Sequence, residues 1–159
     1  MEQQDIREIR VGEIMETGWP TLEPQSTVED AIRLFAESRV SGAPVVEDER
    51  LVGIITEGDL IFQDAEVRAP GFLDILGGLV PLKDTEEYRR EAIKSAGVIV
   101  GDVMTTAPDT IFPEATLVEA ATIMAERRRK ILPVVDGERL VGVITRMDIL
   151  TLHLLKPRH

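Results

Sequence analysis

Pro44 to Asp59 reads PVVEDERLVGIITEGD, and Pro133 to Asp148 reads PVVDGERLVGVITRMD. The two stretches stand 89 positions apart, and working outward from them residues 11–60 align with 100–149 without a gap, with 22 of the 50 positions identical. A duplication this dense governs the reading of every other element, because each copy must then fold as the same supersecondary unit. One such unit is too small to bury both faces of its own sheet. The expectation is therefore two units packed sheet to sheet about a pseudo-twofold axis, with function in the cleft between them.

Within each copy the periodicities change in the same order. Thr27 and Thr116 stand before amphipathic runs and have an acid three residues on, Asp30 and Glu119, as in a capping box. Apolar residues follow at helical spacing: Val28, Ala31, Ile32 and Phe35, then Leu117, Ala120, Ala121 and Met124. Two β-branched runs come next, Val45-Val46 and Leu51 to Ile55 in the first copy, Val134-Val135 and Leu140 to Ile144 in the second. Polar turns separate them, and Asp136-Gly137 is a favoured hairpin turn. With a short strand near Thr21 or Thr110 in front and a helix after Asp59 or Asp148, each copy reads β-α-β-β-α in a mixed α/β (α+β) fold. The sequence divides into a first motif with its N-terminal segment (1–60), an inserted loop and helix (61–99) and a second motif with its C-terminal tail (100–159). The insert carries an apolar, Gly- and Pro-containing stretch over 70–82 that is expected to pack on the body or on a second subunit.

Composition removes several classes of function. The chain has 159 residues, 43% of them hydrophobic and 30% charged, with no cysteine, which excludes disulfides and zinc-thiolate sites. The apolar runs are too short for a bilayer, and the polar start from Met1 to Arg10 does not read as a secretory signal, so a cytoplasmic location is expected. A net charge of −11 speaks against nucleic-acid binding. His153 and His159 have no partner at metal-ligand or nucleophile spacing, so no catalytic residue or metal site is assigned and the chain is not expected to be an enzyme.

The chemistry concentrates at the end of the second strand of each copy: Gly53-Ile54-Ile55-Thr56-Glu57-Gly58-Asp59 and Gly142-Val143-Ile144-Thr145-Arg146-Met147-Asp148. A hydroxyl beside a helix start suits a phosphate, and a carboxylate three residues on can accept from two sugar hydroxyls. The plainer reading is that Thr56 and Thr145 are helix N-caps and the two aspartates favour the helix dipole.

These paired motifs, the Pro-Val-Val strands before them and the Val-Gly-Glu-Ile-Met and Val-Gly-Asp-Val-Met segments at the start of each copy resemble a tandem pair of CBS (cystathionine β-synthase) domains, a Bateman module. The resemblance implies a stand-alone regulatory module that binds adenosine-containing ligands such as AMP, ADP, ATP or S-adenosylmethionine in its clefts. It further implies a homodimer acting on a separate effector protein, with no cofactor required. Carried over by position, it implies a first nucleotide site of Thr21, Ser41, Gly42, Ala43, Pro44, Thr56 and Asp59. The second is Thr110, Lys130, Ile131, Leu132, Pro133, Thr145, Arg146 and Asp148. The aspartates would hold ribose, the threonines phosphate, and the Pro strands would enclose the base. The copies differ in charge: Arg146 and Lys130 stand where the first copy has Glu57 and Ser41, which nominates the second copy as the stronger phosphate site. The run Arg127 to Arg129 is read as a solvated helix end. The competing expectation is a structural dimer with vestigial clefts.

Overall fold

The structure, a computed structural model, describes residues 5–62 and 98–155. Nearly all of the insert, including its 70–82 stretch, and His159 lie outside the described residues, as does the side chain of His153. The described chain mixes short helices with antiparallel sheet. After a 3-10 turn at Ile6–Glu8 come α1 (Val11–Ile14), α2 (Val28–Ser38), β1 (Gly42–Glu47), β2 (Arg50–Thr56) and α3 (Glu57–Phe62). The second copy repeats the order with α4 (Val100–Val103), β3 (Thr105–Thr106), α5 (Leu117–Arg127), β4 (Ile131–Asp136), β5 (Arg139–Thr145) and α6 (Arg146–Leu155).

The helices start where the sequence places them. The Thr27 hydroxyl accepts from the Asp30 N–H at 3.0 Å while the Asp30 carboxylate accepts from the Thr27 N–H at 3.0 Å. Thr116 and Glu119 do the same at 3.1 and 2.9 Å. Each box satisfies two N–H groups that the first helical turn leaves without partners. Both helices stop at an arginine in the left-handed region, Arg39 and Arg128, each at φ 55°. The hairpin turns differ in composition. Gly137 takes φ 66° as a glycine does easily, whereas Asp48 and Glu49 are held at φ 51° and 67°.

Two compact units result, and they do not follow the boundaries of the sequence repeats. Of the described residues, one unit, the Asp59 unit, comprises 20–48, 52–62 and 98–108; the other, the Asp148 unit, comprises 5–19, 49–51 and 109–155. The segment that leads into each repeat thus joins the unit of the other repeat. Ile9 and Val11 lie in a core with Ile111, Leu117, Ala120, Met124, Leu132, Val134 and Ile144. The equivalent Val98 and Val100 lie in a core with Leu22, Val28, Ala31, Phe35, Ala43, Val45 and Ile55. Backbone hydrogen bonds hold each lead-in down: Val11 N–H to Ala115 O and Leu117 N–H to Ile9 O in one unit, Val100 N–H to Ser26 O and Val28 N–H to Val98 O in the other. The likeness of the repeats permits the exchange. A lead-in shaped for one core fits the other, and residues far apart in the chain complete each unit.

In the Asp59 unit β1 neighbours β2, and β3 lies antiparallel on β2 with Gly53 opposite Thr106 and Ile54 opposite Thr105. In the Asp148 unit β4 and β5 pair antiparallel from Ile131–Thr145 to Asp136–Arg139, with an irregularity between Val134 and Val135. Glu16 bridges antiparallel to Val143, just as Thr105 faces Ile54. The short strands expected near Thr21 and Thr110 reduce to single parallel bridges, Leu22 to Val45 and Ile111 to Val134. Arg50, whose residue falls in the Asp148 unit, pairs with Arg139 there.

Candidate functional site

Each Thr-x-x-Asp motif sits at the junction of a strand and a helix, and its two polar side chains bind each other first. Asp59 Oδ2 accepts from the Thr56 N–H at 2.9 Å and from the Thr56 hydroxyl at 3.2 Å, and the Thr56 hydroxyl oxygen accepts from the Asp59 N–H at 3.2 Å. Asp148 Oδ2 accepts from the Thr145 N–H at 2.8 Å, and the Thr145 hydroxyl accepts from the Asp148 N–H at 3.1 Å. Both motifs are therefore capping boxes in their own right, of a kind that stabilises a helix by about 1 kcal/mol. Capping uses one oxygen of each carboxylate. Asp59 Oδ1 instead accepts from the Thr105 hydroxyl, so capping does not by itself use up the carboxylate.

The strand before each motif is tied to it through the backbone. The Glu57 N–H donates to Ser41 O at 2.9 Å and the Arg146 N–H to Lys130 O at 3.0 Å. The Leu22 N–H donates to Pro44 O at 3.0 Å and the Ile111 N–H to Pro133 O at 3.1 Å, which sets Thr21 and Thr110 beside the Pro strands. In the Asp59 unit the structure thus gathers Thr21, Ser41 to Pro44, Thr56 and Asp59. In the Asp148 unit it gathers Thr110, Lys130 to Pro133, Thr145, Arg146 and Asp148. Gly42, Ala43 and Pro44 are buried, as are Ile131, Leu132 and Pro133. Ala43 and Leu132 are core side chains, so a ligand would meet these stretches mainly through the backbone.

Charge is distributed much as the sequence suggests, with one addition. Arg127 and Arg129 are engaged by Asp109, at 3.5 and 2.9 Å, so part of the arginine run is neutralised locally. Lys130 and Arg146 are exposed and have no ion pair among the described residues. Glu57 is likewise exposed. The addition comes from the lead-in segments. The Thr105 hydroxyl donates to Asp59 Oδ1 at 2.9 Å. At the equivalent place in the other unit stands Glu16, whose N–H donates to Val143 O at 2.7 Å while its own carbonyl accepts from the Val143 N–H at 2.9 Å. Partial burial pushes the Glu16 carboxyl above the ordinary carboxylate range, and its hydrogen bond to Asp148 and the Asp148 charge push it further the same way.

Sequence reasoning missed Glu16 and Thr105, although a signal was present. Each follows the methionine of its lead-in, and each lies opposite the strand that carries the motif glycine. Glycine inside a strand often marks a close backbone approach. Here a Cβ on Gly53 would stand 2.9 Å from Thr105 O and 2.7 Å from Met104 Sδ; on Gly142 it would stand 3.0 Å from Glu16 O and 2.7 Å from Met15 Sδ. The motif glycines are the gaps through which the lead-ins reach the aspartates. Among the described residues no cluster of three or more His, Cys, Asp or Glu side chains could hold a metal, and no helix is long and apolar enough to cross a membrane.

A duplicated α+β unit carrying a Thr-Asp capping motif at the same junction in each copy matches a known family, and the chain belongs to the CBS domain family, whose model matches residues 11–66 and 100–154. It is similar to the CBS domain-containing protein CBSX1, chloroplastic, of Arabidopsis thaliana, 35% identical over 135 residues, covering 80% of this chain and 56% of that protein. The chain thus spans little more than half the length of that relative. Protein MJ1426 of Methanocaldococcus jannaschii is 37% identical over 132 residues, covering 76% of this chain and 77% of that protein. Among solved structures, CBSX2 in complex with AMP superposes with a TM-score of 0.69 at 29% identity, covering 92% of this chain and 96% of that one.

Proposed function

We propose that the chain is a regulatory module that binds an adenine nucleotide, with AMP the first candidate, at its Thr-Asp motifs and passes the occupancy signal to a separate effector protein. The observation that carries this reading is the carboxylate held at a strand-to-helix junction in each motif, with capping engaging one of its two oxygens. Likeness to a CBS pair in complex with AMP supports it. Asp59 and Asp148 would accept ribose hydroxyls, Thr56 and Thr145 would approach the phosphate, and Lys130 with Arg146 would attract it in the Asp148 unit. A ligand can act as a signal only by binding one arrangement of the protein more tightly than another. The module does no chemistry in this reading, requires no cofactor, works in the cytoplasm and assembles as a homodimer.

Calorimetric titration with AMP, ADP, ATP and S-adenosylmethionine tests the proposal. AMP should bind, and Asp148→Ala should weaken it by about tenfold, the loss of roughly 1.4 kcal/mol of charge-assisted hydrogen bonding. Absence of binding by every one of these ligands at millimolar concentration would overturn it. The second reading, a structural dimer with vestigial sites, is favoured by two exposed apolar side chains on α6, Met147 and Leu150. Absence of ligand binding together with a stable dimer by light scattering would support that reading.

A further inference from the structure

We propose that Glu16 and Thr105, equivalent residues delivered by the exchanged lead-ins, are the specificity-determining residues that make the two motifs unequal toward ribose. The inference rests on the nucleotide-binding reading above and deepens it.

In the Asp59 unit the aspartate is nearly saturated. Its Oδ2 receives the Thr56 N–H and hydroxyl, and its Oδ1 receives the Thr105 hydroxyl. An ionised carboxylate offers about four lone-pair sites. A ribose bringing two hydroxyl donors must therefore compete with Thr105, and the exchange of one hydroxyl donor for another gains little. In the Asp148 unit the same backbone register brings a carboxyl in place of a hydroxyl, since Glu16 faces Val143 as Thr105 faces Ile54. Glu16 is exposed, and by this equivalence its carboxyl takes the place beside Asp148 that the Thr105 hydroxyl takes beside Asp59.

A pair of carboxyl groups suits a cis-diol, each accepting from one hydroxyl. It also repels an anionic substituent on either hydroxyl. The Asp148 unit is thus built to select a ribonucleoside 5′-phosphate whose 2′- and 3′-hydroxyls are both free, against deoxyribose and 2′-phosphorylated ligands. Lys130 and Arg146 supply the counter-charge for the 5′ end. The Asp59 unit, with Thr105 in place of the second carboxyl and Glu57 in place of Arg146, is the weaker and less discriminating of the two.

The test uses the full chain with Asp59→Ala, which leaves the Asp148 motif to be read alone, and compares AMP, 2′-deoxy-AMP and adenosine 2′,5′-bisphosphate by calorimetry. AMP should bind at least about tenfold more tightly than either analogue. Adding Glu16→Thr should shrink that preference to about threefold or less and relieve the rejection of the 2′-phosphate. Glu16→Gln, which keeps the side-chain length and removes the charge, should relieve the rejection in the same way and serves if the threonine variant does not fold. AMP binding with an analogue preference unmoved by either variant overturns the inference while leaving the nucleotide-binding reading intact. Absence of AMP binding to the unmutated chain brings down that reading, and this inference with it.

Discussion

Glu16 places a carboxyl on Asp148, and the consequence is measurable without any ligand. Its affinity for a proton is raised in the folded state, so the native protein holds that proton to a higher pH than the unfolded chain does. Below the ordinary glutamate value of about 4.3 both states are protonated and the group contributes nothing. As pH rises from there toward the folded value the unfolded chain gives up its proton first, so a destabilising contribution grows, and above the folded value, with the carboxyl ionised beside Asp148, it stays constant. Glu16→Gln should accordingly melt at a higher temperature than the parent at pH 7, with the gap narrowing as pH falls toward about 4. Thermal melts at steps between those values check this; a gap that does not change with pH would contradict the assignment. At the same scale the capping residues Thr27, Asp30, Thr116 and Glu119 were all legible in the sequence, since an i to i+3 relation depends on the local helix alone. The Glu16–Asp148 and Thr105–Asp59 pairs were not, because they join residues 132 and 46 positions apart.

The elements of each unit depend on a lead-in lying against the motif strand. Met15 and Glu16 cross β5 at Gly142, where an added methyl would meet a sulfur at 2.7 Å and a carbonyl oxygen at 3.0 Å. The methionine can swing aside, but the carbonyl belongs to the backbone that makes both hydrogen bonds with Val143. Gly142→Ala should therefore push the lead-in off the strand at a cost of about 1–3 kcal/mol. Hydrogen exchange would register it as faster exchange at the amides of Glu16 and Val143, and unchanged protection at both would refute the close-approach account. The sequence shows the hairpins through their β-branched runs and shows the second turn through Asp136-Gly137. It does not announce the first, where Asp48 and Glu49 adopt positive φ without a glycine. The strands dictate that turn, and local preference yields to them.

For the molecule as a whole, the exchange of lead-ins makes a prediction that the repeat boundaries would reverse. Val11 belongs by sequence to the first copy but is fully buried among residues of the second, while Val100 is fully buried among residues of the first. Val11→Ala should cost about 2 kcal/mol and lower amide protection first in α5, β4 and β5; Val100→Ala should act first on α2 and β1. Peptide-resolved hydrogen exchange distinguishes the two patterns, and a Val11→Ala effect confined to 20–48 would overturn the exchanged assignment.

The amino-acid sequence alone determined the duplication, the helix starts, the order of elements and the Thr-x-x-Asp motif, because each of these is written in spacings of a few residues that helix and strand geometry read directly. Only the tertiary structure decided which lead-in completes which unit, and hence that Glu16 meets Asp148 while Thr105 meets Asp59. The two copies are alike enough that either lead-in satisfies the local pattern of either core. That choice is made by contacts across the chain, where pattern carries no information and only packing distinguishes one partner from its twin.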